Sequence, residues 1–163
     1  MPIPPPVDAI AAPALAHAVA SFDFTIDAPL SRAAPLFGPE GERAWAGNDW
    51  NPRFIHPRAA KDVQGAVFTI GHGGVQSVWV TTRFDLATGR MQYVVFTPGV
   101  MTTTIDVALT QDGARTRAKV TYVRTALSTE ANAHVEARSR ADAASGPEWS
   151  DAIAGLLRAR PHG

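Results

Sequence analysis

The chain has 163 residues with 15 basic and 15 acidic side chains, so its formal net charge is zero. That length predicts one domain, burying about 70% of the surface its unfolded chain exposes. The neutral balance argues against nucleic acid and anionic membranes as partners, since both reward clustered Lys and Arg, and the absence of Cys excludes disulfides, thiolate metal sites and Cys nucleophiles. Of the apolar residues, 29 are Ala, which leaves a modest set of larger side chains for one core.

The chain opens Met-Pro-Ile-Pro-Pro-Pro-Val-Asp, with no basic residue before Arg32. The Ala-rich stretch from Ala9 to Ala20 offers Ala16-His17-Ala18 as an apparent cleavage site, but without a basic leading region a secretory signal is not expected. Pro4, Pro5 and Pro6 favour polyproline geometry and Pro13 interrupts any helix begun at Ala9. Residues 1–18 are therefore expected to form an extended or flexible arm and residues 19–163 a single domain. No membrane insertion is expected, and the cytoplasm is the default location.

From Ser21 to Asp27 apolar and polar residues alternate, putting Phe22, Phe24 and Ile26 on one face of a strand. Leu30 to Phe37 suits a short helix that Gly38 and Pro39 stop, and a second short helix fits Pro39 to Trp45. The stretch 47–63 reads as irregular, with a short strand around Phe54 to His56. Five strand-like runs follow: Ala66–Ile70, Ser77–Phe84, Met91–Thr97, Thr102–Thr110 and Thr116–Thr125. Their links, such as Gly71-His72-Gly73-Gly74 and Pro98-Gly99, are too short for parallel crossovers, so the runs form an antiparallel meander. Ile105, Val107 and Leu109 oppose Thr104, Asp106 and Thr110, while Ala118, Val120 and Tyr122 oppose Arg117, Lys119 and Thr121, leaving one face packed and one wet. From Leu127 onward the chain is Ala-rich and helical in spacing, with Ser128 or Thr129 as a cap. Gly146-Pro147 should break this rod into two pieces or bend it.

The predicted class is α+β: a curved antiparallel sheet of six to seven strands wrapped around a long C-terminal helix, with two short helices after the first strand. In order and spacing, several motifs resemble those of the SRPBCC superfamily, which includes START-type lipid-transfer domains, the birch-pollen allergen fold and the polyketide cyclase/dehydrase group. They are Phe24-Thr25-Ile26-Asp27-Ala28-Pro29, Pro39-Glu40-Gly41-Glu42-Arg43-Ala44-Trp45, Trp50-Asn51-Pro52-Arg53-Phe54, Gly65-Ala66-Val67-Phe68, and Val120-Thr121-Tyr122 with Thr125-Ala126-Leu127. The resemblance spans Ser21 to Arg160 and implies a helix-grip fold with a cavity between sheet and helix. It implies no single activity, because the superfamily holds carriers, sensors, cyclases, oxygenase subunits and chaperone activators. The Cys needed by a Rieske domain is absent.

If the cavity exists, inward aromatics line it: Trp50, Phe54, Phe68, Trp79, Tyr93, Phe96 and Tyr122, with Val135 from the helix and Arg138 at its rim. Each could instead simply fill the core. Trp50, among Gly, Asn and Pro, could sit on a lid. Tyr122 and Arg124 fall in phase with the packed face, and His134 and Arg138 lie four apart on the helix, so Tyr122, His134 and Arg138 are the candidates for proton transfer or carbonyl polarisation. Alternatively, Arg138 snorkels at the cavity rim and His134 is exposed or satisfied by a backbone carbonyl. His56 and His72 have no partner at ligand spacing, and no metal or cofactor is expected. Ser31 and Ser128 read as caps rather than nucleophiles, without a Gly-x-Ser-x-Gly elbow, and Gly71-His72-Gly73-Gly74 as a turn rather than a phosphate loop. Arg115, Arg117 and Lys119, with Arg124 beyond, give one strand a basic edge.

Three functions follow as expectations. The first is binding of a small, largely apolar, lipid- or polyketide-like molecule in the cavity. The second is a polyketide cyclase, aromatase or dehydratase using the same cavity, and the third is a protein-interaction module with a filled core. A homodimer is left open.

Overall fold

The structure is a computed structural model that describes residues 13–160; the expected arm therefore lies mostly outside the described residues. Strand β1 (His17–Ile26) begins two turns of alternation earlier than the sequence pattern alone marks. The reason is its partner: β7 (Arg115–Ala126) supplies a ladder from Thr116 to Thr125 that carries Ala18 and His17 into register. Asn132 fastens the residues before it, accepting from the Ala16 N–H and donating to the Ala14 carbonyl.

After β1 come α1 (Leu30–Ala33), a 3₁₀ turn at Ala34–Phe37 and α2 (Pro39–Glu42). Ser31 lies inside α1 rather than capping it, and the side chain of Gln111 accepts from the Leu30 N–H at 2.6 Å. At α2 the carboxylate of Asp62 accepts from the N–H groups of Glu40 and Gly41 at 2.8 and 3.1 Å. This remote cap satisfies donors that a four-residue helix cannot. Strands β2 (Arg53–His56), β3 (Val67–His72), β4 (Val75–Asp85), β5 (Arg90–Thr97) and β6 (Met101–Asp112) then lead to β7. The β3–β4 hairpin turns through Gly73 and Gly74, both with positive φ, as a two-residue primed turn requires.

The seven strands form one antiparallel sheet in the order β1-β7-β6-β5-β4-β3-β2. Strand β7 is thus interior, flanked by β1 and β6. Arg115, Arg117 and Lys119 lie on the exposed outer face of the sheet rather than along an edge, and Arg124 does not extend them because it points inward and is buried.

The C-terminal helix is in two pieces, as the Gly-Pro step predicts. A 3₁₀ turn at Thr129–Ala131 leads into α3 (Asn132–Ala143), and α4 (Gly146–Ala159) starts afresh with Pro147 in its first turn. Ser128 stands before the 3₁₀ turn, but its hydroxyl donates to the Gly99 carbonyl, so it is a strand-to-turn tie rather than a cap. The two pieces are held differently. On α4, Trp149, Ile153 and Leu157 recur at four-residue spacing and pack into the main core with Phe22, Phe37 and Val120. Polar α3 is held by a small cluster of Val135, Ala131, Met101 and Ala126, and by one ion pair. The Arg124 guanidinium donates to both Asp142 oxygens at 2.6 and 2.9 Å and to the Thr103 hydroxyl at 3.1 Å, with both charged side chains more than nine-tenths buried.

Candidate functional site

Between the sheet, α2 and α4 the core is incompletely filled, leaving a cavity of about 180 Å³. The strands contribute Trp79 from β4, Tyr93 from β5, Ile105 and Val107 from β6, and Tyr122 from β7. Glu42 ends α2, Trp45 and Ala46 follow it, and Trp50 comes from the loop before β2. From α4 come Glu148, Trp149 and Ala152, and Glu148 is exposed, which marks the open side. All four Trp and both Tyr of the chain therefore line one cavity.

The aromatic wall is braced from behind. Trp79 stacks on Phe68 at 5.6 Å, and Phe68 on Phe54 at 5.5 Å, while Trp50 meets Trp79 edge-on at 5.5 Å. On the opposite side Trp149 stands edge-on to both Trp45 (5.0 Å) and Phe22 (5.1 Å). Offset and edge-on arrangements of this kind are the favourable ones for aromatic pairs.

Most polar tips of these rings are already committed to the scaffold. The indole N–H of Trp45 donates to the Leu36 carbonyl, that of Trp50 to the Pro39 carbonyl and that of Trp79 to the Ser77 hydroxyl, all within 2.9 Å. The Tyr93 hydroxyl donates to the Phe37 carbonyl at 2.5 Å. Among the described residues the Glu42 carboxyl, the Tyr122 hydroxyl and the Trp149 indole N–H have no hydrogen-bond partner. Each is reachable from the cavity and offers a ligand an uncommitted donor or acceptor, a hydrogen bond worth about 0.5–1.5 kcal/mol net.

The same burial sets the protonation states. Desolvation, followed by the nearby Asp62 carboxylate, pushes the Glu42 carboxyl well above the ordinary carboxylate value. Burial also raises the phenols of Tyr93 and Tyr122, and Glu42 adds to both shifts, so both stay protonated as donors. The Arg124 guanidinium lies 4.9 Å from the centre of the Tyr122 ring, on the side of α3.

Of the sequence-derived candidates, the structure brings Trp50, Trp79, Tyr93 and Tyr122 together in the cavity wall and puts Phe54 and Phe68 behind it. Phe96 lies elsewhere: it faces outward and is 46% exposed, because inward residues of β5 are the odd-numbered Met91, Tyr93 and Val95. Val135 is fully buried, but in the separate cluster under α3. His134 and Arg138 are exposed on α3 and do not line the cavity. Sequence reasoning did not single out Glu42, Trp45, Glu148 or Trp149. A signal for the first pair is present, since residues three apart on a helical turn share a side, and both stand in the Pro39–Trp45 motif that carries the fold resemblance. Among the described residues no group of three or more His, Asp or Glu is placed to hold a metal.

Sheet, short helices and split terminal helix together define an α+β helix-grip protein, the architecture that the SRPBCC resemblance implies. No protein-family model matches the chain, and no curated protein matches it in sequence. Solved structures match it in shape. Protein Mll3558 of Rhizobium loti is 18% identical with a TM-score of 0.63, over 88% of this chain and 99% of that one. Norcoclaurine synthase of Thalictrum flavum, in complex with dopamine and hydroxybenzaldehyde, is 12% identical with a TM-score of 0.65, over 91% and 90%. Protein jhp0584 of Helicobacter pylori is 12% identical with a TM-score of 0.68, over 85% and 86%. At these identities the likeness is one of fold. No helix among the described residues is long and apolar enough to cross a membrane.

Proposed function

We propose that the chain binds a small, largely apolar molecule in the cavity between sheet and C-terminal helix, with Glu42 and Tyr122 as its polar anchors. The observation that carries this reading is an aromatic-walled space of about 180 Å³ into which a carboxyl and a phenol project without partners. Its size narrows the ligand. An apolar cavity of about 150 Å³ takes benzene, whereas drug-sized ligands need about 300–1,000 Å³. The volume therefore favours a compact, one-ring molecule over an extended lipid or a multi-ring polyketide. The fold likeness to norcoclaurine synthase, whose structure holds two single-ring molecules, is in keeping with this. The space left between sheet and helix also speaks against the filled-core interaction module. No metal, cofactor or membrane is required, and a cytoplasmic setting, as one copy or a homodimer, accommodates the reading.

A second reading has a specific observation in its favour. Glu42 and Tyr122 line one cavity, and burial raises the pKa of both, so the phenol can polarise a bound carbonyl while the carboxyl gives or takes a proton, as in a cyclase, aromatase or dehydratase. Native mass spectrometry of protein purified from its own host tests the first reading. A retained small mass, displaced when Trp79 is changed to Ala, is the expected result, and a bare chain that also takes up no added one-ring compound contradicts it. Turnover of the retained compound, lost in Tyr122→Phe, would select the second reading.

A further inference from the structure

The cavity wall combines two features that together point to the charge of its ligand. One is a lining rich in aromatic rings, Trp45, Trp50, Trp79 and Trp149 among them. The other is the charge type of its polar groups: Glu42 and Glu148 line it, and among the described lining residues there is no Lys, Arg or His. Ring faces carry negative potential and attract cations, most strongly for Trp and most strongly when water is excluded. A carboxylate-bearing ligand would meet two acidic groups and no counter-charge. An uncharged one-ring ligand would fit and would gain ring–ring packing, but no charge attraction to the rings or to Glu42.

The charges around Glu42 leave that role open. Asp62, in the segment before β3, is engaged by the Glu40 and Gly41 N–H groups. Arg43, on Glu42's own turn, is bound to Glu40 and to the Pro52 carbonyl. Tyr93 from β5 and Tyr122 from β7 are neutral donors, and Glu148 faces the cavity from α4. Arg124 is forked onto Asp142, and Arg138 is exposed on α3. Among the described residues, no cation already serves Glu42.

Resting on the ligand-binding reading above, we propose that the cavity selects a small organic cation, an ammonium group on a compact one-ring apolar body, seated between the Trp faces and the Glu42 carboxylate. In the empty protein burial favours protonated Glu42. An arriving cation favours the carboxylate, so binding releases that proton to solvent. Affinity for the cation therefore rises with pH until Glu42 is ionised in the free protein, and a neutral ligand of the same shape shows no such dependence.

The test compares 2-phenylethylammonium, 2-phenylethanol and phenylacetate, read by intrinsic fluorescence, since every Trp of the chain lines the cavity. At pH 8 the cation should bind at least about tenfold more tightly than the alcohol, and the anion most weakly. The advantage should shrink as pH falls, and Glu42→Gln should narrow it several-fold and remove its pH dependence, leaving the share that comes from the Trp rings. Calorimetry of the unaltered protein in two buffers of different ionisation enthalpy, at a pH where the cation's affinity is still rising, should show proton release on binding the cation alone, and needs no variant to fold. Equal or tighter binding of the alcohol or the anion, or no proton release, overturns the selectivity for cations while leaving the cavity reading intact. Failure of all three probes to bind overturns both.

Discussion

Arg124 on β7 and Asp142 on α3 form a two-pronged ion pair at 2.6 and 2.9 Å, buried from solvent on both sides. It is the polar tie between the sheet and a helix that buries little apolar surface of its own, and it stands directly behind the ring of Tyr122. Removing one partner leaves the other charge buried and alone, which costs about 3–5 kcal/mol, whereas replacing both by apolar residues of similar volume is often neutral. Arg124→Met should therefore lower unfolding free energy by that amount in urea titration. The double change to Arg124→Met and Asp142→Leu should recover most of the loss.

Tyr93→Phe removes the donor to the Phe37 carbonyl and leaves that buried acceptor unpaired. A destabilisation of about 1–3 kcal/mol is expected. Phe37 sits on the segment that carries α2, so the change should also broaden the amide resonances of Glu40 to Trp45 in a nitrogen–proton correlation spectrum.

The meander, its faces and the break in the last helix were legible because each depends on local pattern: alternation at Ile105 to Leu109, the two glycines at 73 and 74, and Pro147. The cavity was only half legible. Trp79, Tyr93 and Tyr122 lie on strands whose phase reveals their inward direction. Glu42 and Trp45 lie on a single helical turn, too short for a periodic signal, and their orientation is set by the remote carboxylate of Asp62. Phe96 shows the opposite failure: an aromatic on a strand reads as core, but its phase relative to Tyr93 was the better guide. Arg138 and His134 followed from helix spacing, yet α3 turns only Val135 and Asp142 fully inward.

Two glycines should respond to Ala with opposite sign. A Cβ at Gly41 would lie 2.0 Å from the Pro35 carbonyl oxygen, so Gly41→Ala must displace α2 and with it Glu42. At Gly155, inside α4, the nearest atom to an added Cβ is the flexible end of Arg158 at 3.8 Å. Gly155→Ala should stabilise by about 0.5–1 kcal/mol. Thermal unfolding of the two variants checks both signs.

Stability should fall as pH rises above the ordinary carboxylate value. The folded protein holds the Glu42 proton more tightly than the unfolded chain, so between the ordinary value of 4.5 and the raised folded value it binds more protons, and raising pH favours unfolding. Asp62 is shifted in the same direction. A plot of unfolding free energy against pH should slope downward through this window, and Glu42→Gln should flatten most of the slope.

The most direct measurement is a titration of nitrogen-labelled protein with one-ring compounds, following the four Trp indole N–H resonances. If the cavity is the binding site, the signals of Trp45, Trp50, Trp79 and Trp149 shift together with a single dissociation constant, while amides beside the outward-facing Phe96 stay in place. If no compound moves the indole signals, or the shifts gather on the outer sheet face instead, the cavity is not where this protein binds.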